Sequence, residues 1–258
     1  MKLYQVDAFT DEVFSGNPAA VIPIESWLDE EVMQRISAEN NLSETAYFVK
    51  KSDGSYHIRW FTPKTEVDIC GHATLASAHV LFEYLDFKGE KVIFQSKSGE
   101  LTVEKKNDTY WMNFPSNPPE PIPVPKLLPD AIGTIPIYTG VNRDMLVLLQ
   151  DEATVKSIRP DFSLLEKMEV RGIIITAEGN DCDFVSRYFA PSMGIFEDPV
   201  TGSAHTLLTP FWGKRLGKST LEARQVSKRS GNIMCRQKGD RVEIGGAAVT
   251  YMIGDINI

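Results

Sequence analysis

Cysteine is scarce in this chain. Three residues, Cys70, Cys182 and Cys235, lie far apart among 258, with no CxxC pair, so neither a disulfide framework nor a zinc site is suggested. Histidine numbers only four, and His72 and His79 stand seven apart on one helical stretch with no acidic or thiol partner at ligand spacing. No metal ligand set is expected. No apolar run approaches the roughly 18 residues of a membrane span, and Met1 to Asp7 runs straight into a strand-like pattern instead of a signal peptide. A cytoplasmic location away from membranes is expected. Basic character is also lacking: the formal charge is −8 and no basic run exceeds a pair such as Lys228-Arg229, which argues against a nucleic-acid surface. Nucleotide motifs are absent too, since no GxGxxG follows a strand and no GxxxxGK precedes a Ser or Thr.

What is present is a repeat. Asp68-Ile69-Cys70-Gly71-His72-Ala73-Thr74-Leu75-Ala76-Ser77-Ala78-His79 returns, altered, about 130 residues later as Asp198-Pro199-Val200-Thr201-Gly202-Ser203-Ala204-His205. Arg59-Trp60-Phe61-Thr62-Pro63 precedes the first copy and Arg187-Tyr188-Phe189-Ala190-Pro191 the second. A Ser-Lys strand with a Gly turn follows each, at Ser96 and at Ser227. A period this long implies two homologous domains, because solenoid repeats run about 20–50 residues.

Each core segment reads as a polar loop followed at once by an apolar helix. The first run, Ala73 to Leu85, is apolar almost all round, which predicts a helix buried inside its domain. The second, Ala204 to Trp212, is similar, with Pro210 expected to kink or end it. Two such helix starts are two positive dipole ends. Brought together by a pseudo-twofold, they would make the crevice between domains a site for a carboxylate.

Along the chain, residues 3–9 and Ala19 to Ile24 read as strands, Asp29 to Asn40 as a helix stopped by Asn40-Asn41, and Leu42 to Val49 as a strand with Glu44 at its start. Strands at His57–Phe61, Lys91–Phe94, Leu101–Val103 and Tyr110–Phe114 complete the first half. Pro115 to Pro129 is proline-rich and reads as an extended linker. The expected domains are 1–117 and 131–258, joined by a linker over 118–130. In the second half strands are expected at Ile135–Tyr138, Asp144–Leu149, Gly172–Thr176, Asp183–Phe189, Ile233–Arg236, Arg241–Ile244 and Ala247–Ile253, with a helix around Phe162–Met168. Strand-rich halves with one long buried helix each predict an α+β fold, a sheet wrapped around that helix.

Candidate chemistry gathers at the two loops: Glu44, Asp68, Cys70, His72, Glu197, Asp198, Ser203 and His205. A serine hydrolase is a poor reading, because Ser203 and His205 lie two apart on a helix and the GxSxG elbow is missing. Proton transfer remains. A carboxylate or a thiol at a helix start can take a proton from carbon, and the residues alone leave Glu44 and Cys70 level.

Asn17-Pro18-Ala19-Ala20-Val21, Ser43-Glu44-Thr45-Ala46, Asp68 to His79, Glu197 to His205 and Gln225-Val226-Ser227-Lys228-Arg229 together resemble the PhzF-like family of phenazine-biosynthesis isomerases, related in fold to diaminopimelate epimerase and proline racemase. The resemblance spans nearly the whole chain. It implies two pseudo-symmetric domains, each a barrel-like, mostly antiparallel sheet around a central helix, with a cofactor-free site in the cleft between them. It implies an isomerase in which Glu44 is general base and acid, moving a proton between carbons of a small cyclic or unsaturated carboxylic acid. His72, Asp198 and Ser203 would hold the substrate and assist, and the N–H groups at Gly71–Ala73 and Gly202–Ser203 would bind its carboxylate. Cys70 departs from the phenazine enzyme's pattern and leaves a one-thiol racemase or epimerase as the alternative, though Thr201 offers no second thiol. A binding protein that has lost turnover is the third reading. A homodimer is the base-rate expectation for assembly.

Overall fold

The structure, a computed structural model, describes all residues from Met1 to Ile258. The chain forms two compact units, one of Met1–Asn113 with Gly245–Ile258, the other of Phe114–Ile244. No helix is long and apolar enough to cross a membrane.

Unit 1 runs β1 (Lys2–Ala8), β2 (Asn17–Pro23), α1 (Glu30–Asn40), β3 (Glu44–Lys50), β4 (Tyr56–Phe61), β5 (Glu66–Val67), α2 (Gly71–Tyr84), β6 (Lys91–Ser96), β7 (Gly99–Lys106) and β8 (Thr109–Pro115). Neighbours pair antiparallel except at two places. β2 lies parallel to β3, with α1 as the crossover, and β4 lies parallel to β6, with α2 as the crossover. Parallel partners cannot be joined by a hairpin, so each such pair demands a helix between its strands. That requirement sets where the two helices fall. Helix α1 stops where Asn41 takes a left-handed backbone (φ 49°) and donates its N–H to the Ser37 carbonyl at 3.2 Å. Helix α2 buries His72 through Leu81 without a break and packs on β1, β2, β3 and β7, which gives the predicted sheet around a central helix.

Unit 2 contains β9 (Glu120–Pro121), α3 (Leu128–Ile132), β10 (Tyr138–Val141), β11 (Met145–Leu148), α4 (Glu152–Ser157), α5 (Phe162–Glu166), β12 (Ile173–Glu178), β13 (Phe184–Ala190), β14 (Ile195–Asp198), α6 (His205–Leu216), β15 (Thr220–Gln225), β16 (Gly231–Lys238) and β17 (Arg241–Gly246). Its parallel pairs are β11 with β12, across α4 and α5, and β13 with β15, across α6. The two parallel pairs and their helical crossovers thereby recur, with α4 and α5 where unit 1 has α1, and with α3 added.

Three features differ from the sequence reading. The last strand, β18 (Ala248–Asp255), belongs to unit 1 because it pairs antiparallel along the whole of β1, from Lys2↔Asp255 to Ala8↔Ala248. A boundary that assigns 131–258 to one domain misses this return. The stretch read as a linker over 118–130 is also part of unit 2: β9 pairs with β10, Leu128 enters its core and Ile122 packs against it. Third, α6 runs through Pro210 to Leu216 without ending there. Proline removes the donor for the Thr206 carbonyl four residues back, and the Asn117 backbone N–H supplies it instead at 3.0 Å. Asn117 Nδ2 also donates to Thr206 Oγ1 at 3.1 Å.

Candidate functional site

Glu44 is the first residue of β3, paired with Ala19 of β2. Cys70 is the N-cap of α2, in extended backbone (φ −145°, ψ 110°), and its side chain does not cap the helix. The first turn is tied instead by Thr74, whose N–H and hydroxyl both donate to the Cys70 carbonyl, at 3.2 and 2.6 Å. The Cys70 thiol is thus left free to turn toward His72, two residues on.

These three side chains meet. Cys70 Sγ lies 3.5 Å from His72 Nδ1, and His72 Nε2 lies 3.1 Å from Glu44 Oε2. The imidazole touches the thiol through one ring nitrogen and the carboxylate through the other, and the sulfur itself lies within 4.8 Å of a Glu44 carboxylate oxygen. The nitrogen-to-carboxylate contact has ion-pair length but lacks hydrogen-bond alignment, so both buried atoms remain without a directed partner. Burial drives the Cys70 thiol up to about 11, and the Glu44 carboxylate pushes it the same way. Cys70 therefore keeps its proton at neutral pH. Burial opposes the charged form of His72, yet its value is raised well above normal by Cys70 and by Glu44. Because a thiol that holds its proton carries no charge, we attribute the stabilisation of the imidazolium to the carboxylate. The first N–H groups of α2, at Gly71, His72 and Ala73, have no carbonyl in the helix to bind, as at any helix start.

The second motif forms its own set within unit 2. Thr201 Oγ1 donates to Asp198 Oδ2 at 2.5 Å. Gln225, fully buried, accepts from the Thr201 N–H at 2.8 Å and donates through Nε2 to the Asp198 carbonyl at 2.7 Å and to Thr201 Oγ1 at 3.1 Å. One amide thus fixes both ends of the Asp198–Thr201 turn. Ser203 and Gly202 follow in a short 3-10 turn that leads into α6, and Thr206 Oγ1 donates to the Ser203 carbonyl at 2.7 Å. His205 Nδ1 bonds the Thr201 carbonyl at 2.9 Å, where Thr74 Oγ1 bonds that of Cys70 in the first unit. Aligned in this way, Thr201 occupies the place of Cys70, and Ser203 that of His72.

Other sequence candidates have structural partners. Glu197 is held by Arg187 through Nε at 2.7 Å and Nη2 at 3.0 Å; Glu66 is held by Arg59 in the same bidentate manner, at 2.7 and 2.8 Å. The Asp68 side chain is exposed and its carbonyl accepts from Ser98 Oγ. His79 sits between Tyr110 Oη at 3.0 Å and Thr250 Oγ1 at 2.8 Å, tying α2 to β8 and β18, and burial lowers it to about 4. The sequence reading gave Gln225 no role, since its motif lies more than twenty residues from the turn it holds. It also found no acid or thiol near His72 at ligand spacing. Glu44 comes from another strand, and Cys70 becomes a neighbour only through the turn at the helix cap.

The fold is similar to that of a probable proline racemase from Agrobacterium radiobacter, which superposes with a TM-score of 0.66 at 10% identity, with 100% of this chain and 93% of that one covered. Residues 6–254 match the family described as phenazine biosynthesis-like protein, PhzC-PhzF, and the chain belongs to it. A crystal structure of a PhzF-family phenazine biosynthesis protein from Enterococcus faecalis has a TM-score of 0.98 at 50% identity, covering 100% of this chain and 99% of that one. A Pseudomonas aeruginosa protein named as an uncharacterized isomerase is 48% identical over 258 residues, 100% of this chain and 99% of its own.

Proposed function

We propose that the protein is a cofactor-independent isomerase that moves a proton between carbons of a small carboxylic acid, with Glu44 as the general base and acid. Family and fold support an isomerase or epimerase of the PhzF type. The observation that carries the finer reading is the 3.1 Å approach of Glu44 Oε2 to His72 Nε2 at the start of a buried helix. A carboxylate held there has one oxygen without a directed hydrogen bond, which suits it to take a proton from carbon. In the forward step the C–H bond breaks, its proton passes to Glu44, and the electron pair is delocalised toward the substrate carboxylate. Glu44 then returns the proton to a second carbon as the pair re-forms a C–H bond there. His72, beside it, offers an N–H to the charge that develops, and the helix N-terminus at Gly71–Ala73 stabilises an oxyanion. Asp198 and Ser203 are assigned to substrate binding, in a turn pre-set by Thr201 and Gln225.

The Cys70–His72 contact at 3.5 Å favours a second reading, a racemase or epimerase in which Cys70 is the base. Cys70 keeps its proton and is buried, which weighs against it. Proton NMR of small unsaturated, cyclic and amino acids in D2O, with wild type and Cys70→Ala side by side, separates the two. Deuterium entering carbon at comparable rates in both supports Glu44, whereas exchange lost in Cys70→Ala moves the protein to the thiol mechanism.

A further inference from the structure

Glu44, Cys70 and His72 offer one carboxylate oxygen, one sulfur and one imidazole nitrogen that all lie within 4.8 Å of one another. Around a tetrahedral zinc ion the bonds run about 2.0–2.3 Å, which puts donor atoms about 3.2–3.8 Å apart. The donors would have to close by at most about 1 Å to reach the wider end of that spacing. Glu44 Oε2 and His72 Nε2 are buried and meet only each other, at 3.1 Å without hydrogen-bond alignment, and a shared cation would replace that contact. The donor set of S, N and O on three protein side chains matches zinc sites that keep a fourth position open. Cys70 and His72 share one turn at a helix cap and Glu44 starts a strand, so rigid elements hold all three.

We propose that this cluster is a binding site for a thiophilic divalent cation, Zn2+ above all, with Cys70 Sγ, one ring nitrogen of His72 and a Glu44 carboxylate oxygen as ligands and a water or substrate oxygen in the fourth position. Binding displaces the thiol proton and any proton on the ligating ring nitrogen, both to solvent, so affinity rises with pH. An ion there occupies the carboxylate assigned above as the base. Its effect on turnover therefore rests on the isomerase reading, while binding itself does not. Cys70 is what makes the site thiophilic: His72 and Glu44 alone supply only two ligands.

The test is a titration of the chelator-treated protein with CoCl2 under a non-thiol reductant, read by absorption. A 1:1 complex with a thiolate-to-cobalt charge-transfer band and intense tetrahedral visible bands is expected, and ZnCl2 should abolish both. Cys182→Ala, which removes the one partly exposed thiol, should keep the band; Cys70→Ser should lose it while melting near the wild-type temperature; Glu44→Gln should weaken Co2+ binding at least about tenfold. No charge-transfer band, a band that vanishes with Cys182, or an unchanged Kd in Glu44→Gln overturns the proposal. The Co2+ spectrum needs no substrate. A protein that binds cobalt in this way yet exchanges no carbon-bound hydrogen keeps the metal site and loses the isomerase reading; exchange without the band does the reverse.

Discussion

His205 illustrates how a histidine beside a functional motif can be read from its environment. It is fully buried, bonds only a backbone carbonyl through Nδ1, leaves Nε2 without a partner and lies 5.9 Å from the Phe184 ring. Burial lowers it to about 4, against 6.5 in the unfolded chain. Its folded value is depressed, so above pH 6.5 it is neutral in both states and favours neither. Between 6.5 and 4 the unfolded chain takes up a proton that the folded chain refuses, and stability falls. The full shift is worth roughly 3 kcal/mol near pH 4. Urea unfolding at pH 7 and pH 4.5 should show that loss in wild type and a shallower one in His205→Asn; equal slopes would show that His205 does not titrate on unfolding. At this scale the sequence marks candidates, and their roles rest on the proposal above. Glu44, His72, Asp198 and Ser203 were marked by motif, and the structure joins Glu44 to His72 and ties Asp198 to Thr201. The Cys70–His72 contact and the Gln225 clamp were not legible, because each depends on a turn geometry that spacing does not encode.

At the scale of the element, the proline within α6 is tolerated because the chain arriving from β8 covers the carbonyl it exposes. Asn117 gives that carbonyl its backbone N–H and the Thr206 hydroxyl its side chain. A Pro at position 117 would remove the backbone donor and leave a buried carbonyl unsatisfied, which costs about 1–3 kcal/mol. Asn117→Ala removes only the side-chain bond, so about 0.5–1.5 kcal/mol is expected. Chemical denaturation of both variants should reproduce that order, and equal losses would contradict it. Gln225 supports the second turn in the same sense. Gln225→Ala should raise the KM of an identified substrate more than it lowers stability if it positions Asp198 and Thr201, and a change in stability alone would mark it as structural. The sequence placed a kink or an end at Pro210 because the local rule for proline says nothing of a donor 93 residues earlier in the chain.

For the whole molecule, the repeat was visible in sequence because its anchors recur as motifs, and the two units repeat strands, crossovers and the Arg–Glu pair on matching strands. Its closure was not visible. The C-terminal strand β18 returns to β1 across the full length of the chain, where Thr250 also meets His79. Neither strand carries a signal that names its partner, since pairing is set by the sheet edge left open. Cutting the chain after Ile244 should therefore expose β1 and abolish the cooperative thermal transition of unit 1 by circular dichroism; an unchanged melt would mean that β18 adds nothing to it.

The central claim is that Glu44 is the group that takes and returns the proton. Its most direct test is the rate of carbon-bound hydrogen exchange in D2O, by proton NMR, for Glu44→Gln against wild type on whichever acid the wild type exchanges. The amide keeps the shape of the carboxylate and cannot accept the proton. Loss of a general base typically lowers the rate by about 10²–10⁴-fold, and a fall of that size with substrate still bound is the result predicted here. A Glu44→Gln variant that exchanges hydrogen within a few-fold of wild type would contradict the account.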